Sequence, residues 1–413
     1  MVAVKQQAYP NLDITEPVNL NSASFNENKY AYYHWLREEA PVCKGRVNIF
    51  NAYLVSRYED CLGLLRDPRL VRNRSRLTGG SRMPFPTPKA VNIMMQSMIF
   101  EDEPEHRRLR TLVHKAFTPR ALSKLEARVE SITHELLDKA EPQGTVDLMQ
   151  AYALPIPVTV IGEMVGVEEQ YMQRFKKSID SMTSGIKGLG MIRLMLWDVW
   201  RTIGFIREFV QYKRDHLGDD ILSGLILAED GGDRLSEDEI VSMVFLLLGA
   251  GYETTVYLIT NAVLTLLQHP DQLEKLRANP DLMESAIEEV LRYNNPVHGT
   301  KPGYAREDFT MHGVTIPKGA VVMPLIGAAN RDPRVFDNPD TFDITRSPNK
   351  HLGFGQGIHY CLGAPLARLE AKIALTNLLA RNANLQLAID ANDLTLQNLT
   401  LWHRYENLPV SLG

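Results

Sequence analysis

Apolar residues recur at helical spacing over most of the chain, while short alternating runs are confined to a few places. Residues 24–80 hold YYHWLREEAPV and NAYLVSRYEDCLGLLRD, and the second piece reads as a strand passing into a helix. From 104 to about 210 the pattern is mostly helical, broken at Pro119, Pro142, Pro155 and Pro157 and at the glycines of GIKGLG. The turn EDGGDRLSEDE then precedes a long apolar stretch. Ser236, with Glu239 three residues later, forms a capping box and predicts a long helix over 237–267.

A helical pair follows in HPDQLEKLRANPDLMESAIEEVLRY, and GYAREDFTMHGVTIPKGAVVMPLIGAANRD reads as short strands and turns ending in a helix. A proline-punctuated meander runs from 333 to 348. The glycine-rich loop 353–363 feeds an apolar helix ending near Leu379, and TLQNLTLWHRYENLPVSL supplies terminal strand material. No linker or repeat separates these parts, so the pattern predicts one domain, 1–413, mainly α with a small β region.

MIRLMLWDVWRTIGFIREFV mixes large apolar residues with Arg193, Asp198, Arg201 and Arg207 at amphipathic spacing. It is expected to be buried as a lid or core helix, with Trp197 and Trp200 as packing residues. The most strongly apolar stretch, 243–251, is about half of what a membrane span needs. The N-terminus lacks a signal-like segment. Neither a membrane anchor nor secretion is expected, and the chain is assigned to the cytoplasm.

Composition narrows the function. Of 413 residues, 44% are hydrophobic and 23% charged, with 45 Lys plus Arg against 50 Asp plus Glu and a net charge of -5. These values describe an ordinary globular protein and offer no global attraction to nucleic acid. Three cysteines, Cys43, Cys61 and Cys361, cannot build a disulfide scaffold and suit a reducing compartment.

Chemistry concentrates in HLGFGQGIHYCLGAPLARLEA, where Phe354, Gly355, Gly357, His359, Cys361 and Gly363 fall within ten residues. The glycines let the backbone curl close to a flat ligand, and Cys361 sits just before a helical run whose amides favour a thiolate. Zinc would need more ligands than His359 and Cys361 supply, and an iron-sulfur cluster more cysteines. A cysteine hydrolase would need a base aimed at the sulfur. An axial thiolate to haem iron and a buried structural cysteine both remain.

A second constellation is LLLGAGYETTVYLITNA. Ala250 and Gly251 thin the helix before Glu253, Thr254 and Thr255, and polar groups in an apolar helix are costly unless partnered. Either the helix makes room for a cofactor and a bound gas, or it is a kinked core helix with satisfied threonines.

With both segments in view, the sequence resembles the cytochrome P450 monooxygenases of the soluble bacterial type. The cysteine loop matches the family pattern Phe-Gly-x-Gly-x-His-x-Cys-x-Gly at 354–363 without departure. The resemblance implies a triangular helical prism with haem b between the distal long helix and the proximal cysteine loop. Cys361 is then the metal ligand and His359 a propionate contact, and Phe354, Gly355, Gly363, Ala250 and Gly251 line the cofactor. Glu253 and Thr254 become the catalytic pair for dioxygen, with Thr255 in support.

His106 and Arg110, four apart in EDEPEHRRLRTLVHKAFTPR, resemble the helix that clamps the propionates. Arg107, Arg108, Lys115 and Arg120 are expected to extend a basic surface for a small acidic ferredoxin or flavodoxin, itself served by a reductase. Glu289 and Arg292 match the family's Glu-x-x-Arg structural clamp, expected to engage the meander near Arg346.

One position departs from the pattern. Soluble members carry a propionate-binding arginine two residues before the alanine of YAREDF, where this chain has Gly303. Compensation by Lys301 and displacement of the strand at Pro302 are both open readings.

The implied activity is insertion of one atom of dioxygen into an apolar substrate by hydroxylation or epoxidation, with NAD(P)H an indirect donor. A peroxide-dependent fatty-acid hydroxylase and a non-catalytic haem sensor are the alternatives. The substrate wall is drawn from residues 84–98 including Met98, part of 175–197, Leu247, Ala250, Val297, His298, Thr400 and Leu401. Its apolar side chains favour a polyketide or macrolide, a terpenoid or steroid, or a fatty-acid-like molecule, with a lean toward secondary metabolism. A monomer is expected.

Overall fold

The structure is a computed structural model, and it describes Tyr9 and residues 12–47, 50–80, 82, 87–116, 119–184 and 197–413. Residues 185–196, with the GIKGLG glycines, and residues 84–86, which belong to the stretches the substrate wall is drawn from, lie outside the described residues. Helices dominate and the sheets are small. The chain forms two compact units: a helical one, Asn73–Pro142 with Met149–Val256, and a mixed one, Met1–Arg72 with Gln143–Leu148 and Tyr257–Gly413.

In the helical unit, α1 is Glu105–Ala116, α2 is Val199–Asp215 and α3 is Glu237–Gly251. Prolines punctuate as expected, but they open helices: Pro119–Ala140 and Pro155–Val165 both begin on one, where the missing N–H has no helical partner to lose. Helix α2 buries Ile203, Ile206, Phe209 and Val210 and packs on α3. Phe205 and Phe209 stack at 6.1 Å, with the Tyr171 ring 5.3 Å from Phe209. The turn before α3 is a tight hairpin, Glu229–Asp230 against Asp233–Arg234, in which Gly231 and Gly232 both take positive φ.

Helix α3 starts on the capping box: Ser236 Oγ accepts from the Glu239 amide at 3.3 Å, and Glu239 Oε2 accepts from the Ser236 amide at 2.7 Å. Three acidic residues in its first turn complement the helix dipole. Tyr252 separates it from α4, Glu253–Gln268. By length and composition Glu237–Gln268 could cross a membrane, a longer apolar run than 243–251 alone indicates, but 67% of its most apolar window is buried. That is the signature of a core helix.

The segment around α2 corrects one expectation. Trp197 and Trp200 are 60% and 65% exposed, with their rings 6.5 Å apart. The buried stripe of α2 begins at Val199 and continues through Thr202 and Ile203, leaving both tryptophans off that face.

The mixed unit is organised by a six-stranded sheet. Its strands are β1 (Val18–Asn19), β2 (Val42–Val47), β3 (Phe50–Val55), β4 (Leu70–Val71), β5 (Gly303–Ala305) and β6 (Val321–Pro324), in the order β1-β2-β3-β6-β5-β4. Apolar clusters cover both faces, one around Phe25, Tyr33, Leu36 and Leu54, the other around Val55, Cys61, Phe309 and Leu352. Cys43 and Cys61 are buried within these clusters. Two helices complete the frame, α5 (Met283–Tyr293) packing on α6 (Ala364–Arg381).

The meander is locked to α5 by Glu289 and Arg292, whose side chains are fully buried and paired at 2.8 Å. Arg292 donates to the carbonyls of Asn330, Pro339 and Thr341, and Glu289 accepts from the Asp343 amide at 3.0 Å and from Arg346 Nε at 3.2 Å. Every charged atom of the clamp therefore meets a partner, which is what makes full burial of the two charges tolerable.

Candidate active site

The cysteine loop is shaped by its glycines. Gly355 and Gly357 take φ values of 70 and 73°, and a Cβ at Gly357 would stand 2.4 Å from the Leu65 carbonyl oxygen. Only glycine satisfies both conditions there. The Gly355 amide donates to Leu352 O at 2.8 Å, and the Cys361 amide returns to Phe354 O at 3.0 Å, closing the loop beneath the sulfur. Helix α6 begins three residues beyond the cysteine at Ala364 with proline in its first turn.

Side chains missed in the sequence brace this loop. Arg368, on α6, lies over the Phe354 ring at 4.5 Å and donates to both oxygens of Glu288 on α5, at 2.6 and 2.8 Å. His351 Nε2 lies 2.9 Å from Glu288 Oε2. Burial alone would raise the Glu288 pKa, but the bonds from Arg368 and His351 outweigh it and hold the carboxyl down at about 2. No spacing in the sequence signals this triad, because Glu288 and Arg368 meet only through the packing of α5 on α6.

Cys361 itself is exposed although its loop is tightly tethered. A Cβ at Gly355 or at Gly363 would meet nothing within 4 Å. Among the described residues, no group of three or more His, Cys, Asp or Glu side chains converges in a way that would hold a metal ion. An ion taken by Cys361 would therefore have to bring its other ligands with it, as a porphyrin does, and the open positions at Gly355 and Gly363 of the same loop leave room for a flat group. The residues fit haem.

In the helical unit, Ala250 is exposed and Thr254 half-buried, while Glu253 is 9% exposed. Thr254 Oγ1 donates to Ala250 O at 3.0 Å and Thr255 Oγ1 to Gly251 O at 3.4 Å, a back-bonding that competes with the helical ladder where Tyr252 separates α3 from α4. Gly251 has a packing reason of its own, since a Cβ there would fall 2.5 Å from Ile161 Cδ1. His106 is buried on α1, and its pKa is lowered by burial first and by the Arg110 charge second, so the two heads share one face. Arg108 is engaged by Glu105, Asp233 and Glu239, and Arg107 by Glu103. Local carboxylates thus offset part of the charge of the expected basic surface, with Arg108 held among three of them while Arg107 stays largely exposed.

The expected substrate positions fall in two sets. In the helical unit Met98 is buried in a short 3-10 turn and Leu247 is half-buried on α3. In the mixed unit a bridge joins Val297 to Trp402, and the His298 amide donates to Leu401 O at 2.8 Å. Leu401 holds a φ of 65° there. His298 is buried, 3.1 Å from the Tyr33 hydroxyl and stacked on His403 at 5.1 Å, and Thr400 Oγ1 donates to Asn21 Oδ1.

The family model for cytochrome P450 matches residues 79–386. The chain belongs to the cytochrome P450 family. Among relatives of this P450, the polyketide biosynthesis cytochrome P450 PksS of Bacillus subtilis is 37% identical over 94% of the chain and 97% of its own length. Its structure superposes with a TM-score of 0.88, covering 95% of this chain and 99% of that one. 6-Deoxyerythronolide B hydroxylase of Saccharopolyspora erythraea is 39% identical over 97% of this P450 and 100% of its own length. A crystal structure of P450BioI in complex with hexadec-9Z-enoic acid ligated acyl carrier protein gives a TM-score of 0.86 at 38% identity, covering 95% of this P450 and 99% of that chain. The P450 is accordingly a haem-dependent monooxygenase with the mainly helical fold of its family, and its family works on apolar substrates with electrons from redox partners.

Proposed function

We propose that this P450 hydroxylates or epoxidises a polyketide- or macrolide-like substrate, with Cys361 as the thiolate ligand of its haem. The names of its relatives support the substrate class. The observation that carries the ligand assignment is an exposed Cys361 on a loop tethered by its own backbone hydrogen bonds, with open positions at Gly355 and Gly363 of the same loop. The bound haem supplies dioxygen activation and oxygen transfer.

The chain's residues do the rest. Cys361 donates electron density from its sulfur, and the Arg368–Phe354 contact keeps the loop in place beneath it. His106, Arg110 and His359 hold carboxylate groups of the cofactor. Thr254 presents a hydroxyl on the helix face where Ala250 is exposed, and Glu253 passes protons toward that hydroxyl. This proton machinery favours the dioxygen cycle over a peroxide-driven one, since peroxide brings its own oxygen and electrons. Met98, Leu247, Val297 and Leu401 provide apolar wall. Electrons come from a separate ferredoxin or flavodoxin with its reductase, drawing on NAD(P)H.

The test is the absorption difference spectrum of the reduced protein with carbon monoxide. A band at about 450 nm supports thiolate ligation, and it should vanish in Cys361→Ser. A band at about 420 nm in the freshly prepared parent protein, or none in a folded protein supplied with haem, would overturn the assignment.

A further inference from the structure

Gly251 presents its bare Cα to the helix Pro155–Val165. A Cβ at position 251 would fall 2.5 Å from Ile161 Cδ1 and 3.5 Å from Ile161 Cγ1, so the terminal methyl of Ile161 takes the space that any other residue at 251 would fill. Successive helical residues are turned by about 100° from each other, and Ala250, the residue before, is exposed. The two small residues therefore serve different faces. Ala250 leaves room on the exposed one, and Gly251 is a socket on the packed one.

The knob in that socket is firmly held. Ile161 is buried, and a buried β-branched side chain has few rotamers into which it can retreat. Its helix packs on α3, on Pro119–Ala140 and on Ile221–Leu227. Arg128 Nε donates to both oxygens of Glu163, at 2.8 and 3.1 Å, tying the helix to Pro119–Ala140. Beyond its last turn Gly166 takes a φ of 73°, and a Cβ there would fall 2.5 Å from Asp220 Cγ.

From the socket, position passes to Thr254 through two carbonyls. Thr254 Oγ1 donates to Ala250 O at 3.0 Å and Thr255 Oγ1 to Gly251 O at 3.4 Å. Those carbonyls belong to the peptide units on either side of the Gly251 Cα, so a displacement of Gly251 moves both acceptors and draws the two hydroxyls with them. Tyr252, between the end of α3 and the start of α4, is where the helical ladder resists such a displacement least.

We propose that Ile161 is a positioning residue for dioxygen activation. Seated against Gly251, it sets the depth of the α3–α4 junction and through it the place of the Thr254 hydroxyl. This rests on the reading of Thr254 given above and adds to it a residue from another helix.

The experiment records the carbon monoxide stretching band of the reduced, haem-loaded protein, which responds to polar groups around the bound gas, together with thermal unfolding. The proteins are the parent, Thr254→Ala, Gly251→Ala, Ile161→Val and Gly251→Ala/Ile161→Val. Thr254→Ala should shift the band, which ties it to that hydroxyl. Gly251→Ala should shift it as well, because the new Cβ pushes the junction away from Ile161. Ile161→Val removes Cδ1 and leaves Cγ1 at 3.5 Å, an ordinary contact, so the double variant should return the band to the parental frequency. Ile161→Val alone should broaden the band, since the junction gains a methyl's worth of room.

A Gly251→Ala protein that unfolds at lower temperature with its band unmoved would show a merely structural contact and overturn the inference, as would a shift that Ile161→Val leaves in place. Should Gly251→Ala not fold, the band of Ile161→Val decides: broadening supports the inference and an unchanged band overturns it. A band that Thr254→Ala leaves unmoved would overturn the reading of Thr254 and the inference with it.

Discussion

The guanidinium of Arg368 covers the ring of Phe354 at 4.5 Å and is held there by Glu288, so a carboxylate on α5 governs how firmly the cysteine loop is seated. Glu288 has a folded-state pKa of about 2 against an ordinary value of 4.5. A depressed carboxylate pKa means that its stabilisation is fully present above the unfolded value and is lost as pH falls through the folded one. Acid unfolding between about pH 4.5 and about pH 2 should therefore draw on this group. Glu288→Gln should destabilise the protein by about 1–2 kcal/mol at neutral pH, allowing for partial exposure, and flatten the pH dependence in that window. Urea unfolding midpoints across that range check it, and an unchanged slope would refute it.

Glu289 and Arg292 sit one residue and one turn away, but their pair is fully buried. Arg292→Ala would leave the Glu289 carboxylate with Arg346 and Asn349 as its side-chain partners in a dry site. We expect a loss of about 3–5 kcal/mol, large enough to threaten folding at growth temperature. Arg292→Lys should recover only part of it, because one ammonium cannot reach both Glu289 oxygens and three carbonyls at once. Equilibrium unfolding of both variants decides the matter.

The three cysteines should differ in reactivity. Burial pushes the Cys43 thiol up to about 12 and Cys61 higher still, whereas Cys361 is exposed. A small thiol reagent should label one residue rapidly in haem-free protein and none after haem is added, with Cys43 and Cys61 reacting only on unfolding. Mass mapping of the labelled peptides tests this. Rapid labelling of Cys43 or Cys61 in the folded protein would contradict their burial.

Trp197 and Trp200 contribute little to the core. The double substitution to serine should change stability by less than about 0.5 kcal/mol, as for other surface positions. Phe209→Ala, on the buried face of α2, should cost about 3–5 kcal/mol. Thermal unfolding of the two variants side by side gives the comparison.

The sequence by itself determined what depends on neighbours along the chain. The Ser236–Glu239 capping box, the turn at glycines 231 and 232, the proline breaks in the helical pattern and the pattern from Phe354 to Gly363 all act within one turn or loop. Local geometry is encoded by local residues, so these features were legible, and the match to the family followed from them. What the tertiary structure decided involves residues far apart in the chain. Glu288 meets Arg368 because α5 packs on α6, and Val71 pairs with Tyr304 because β4 and β5 are neighbours in a sheet. The tryptophans show the same limit from the other side: periodicity placed them on an amphipathic helix, but only packing chose the buried face. Side-chain partners are set by where the core closes, and that depends on contacts between elements that no local pattern specifies.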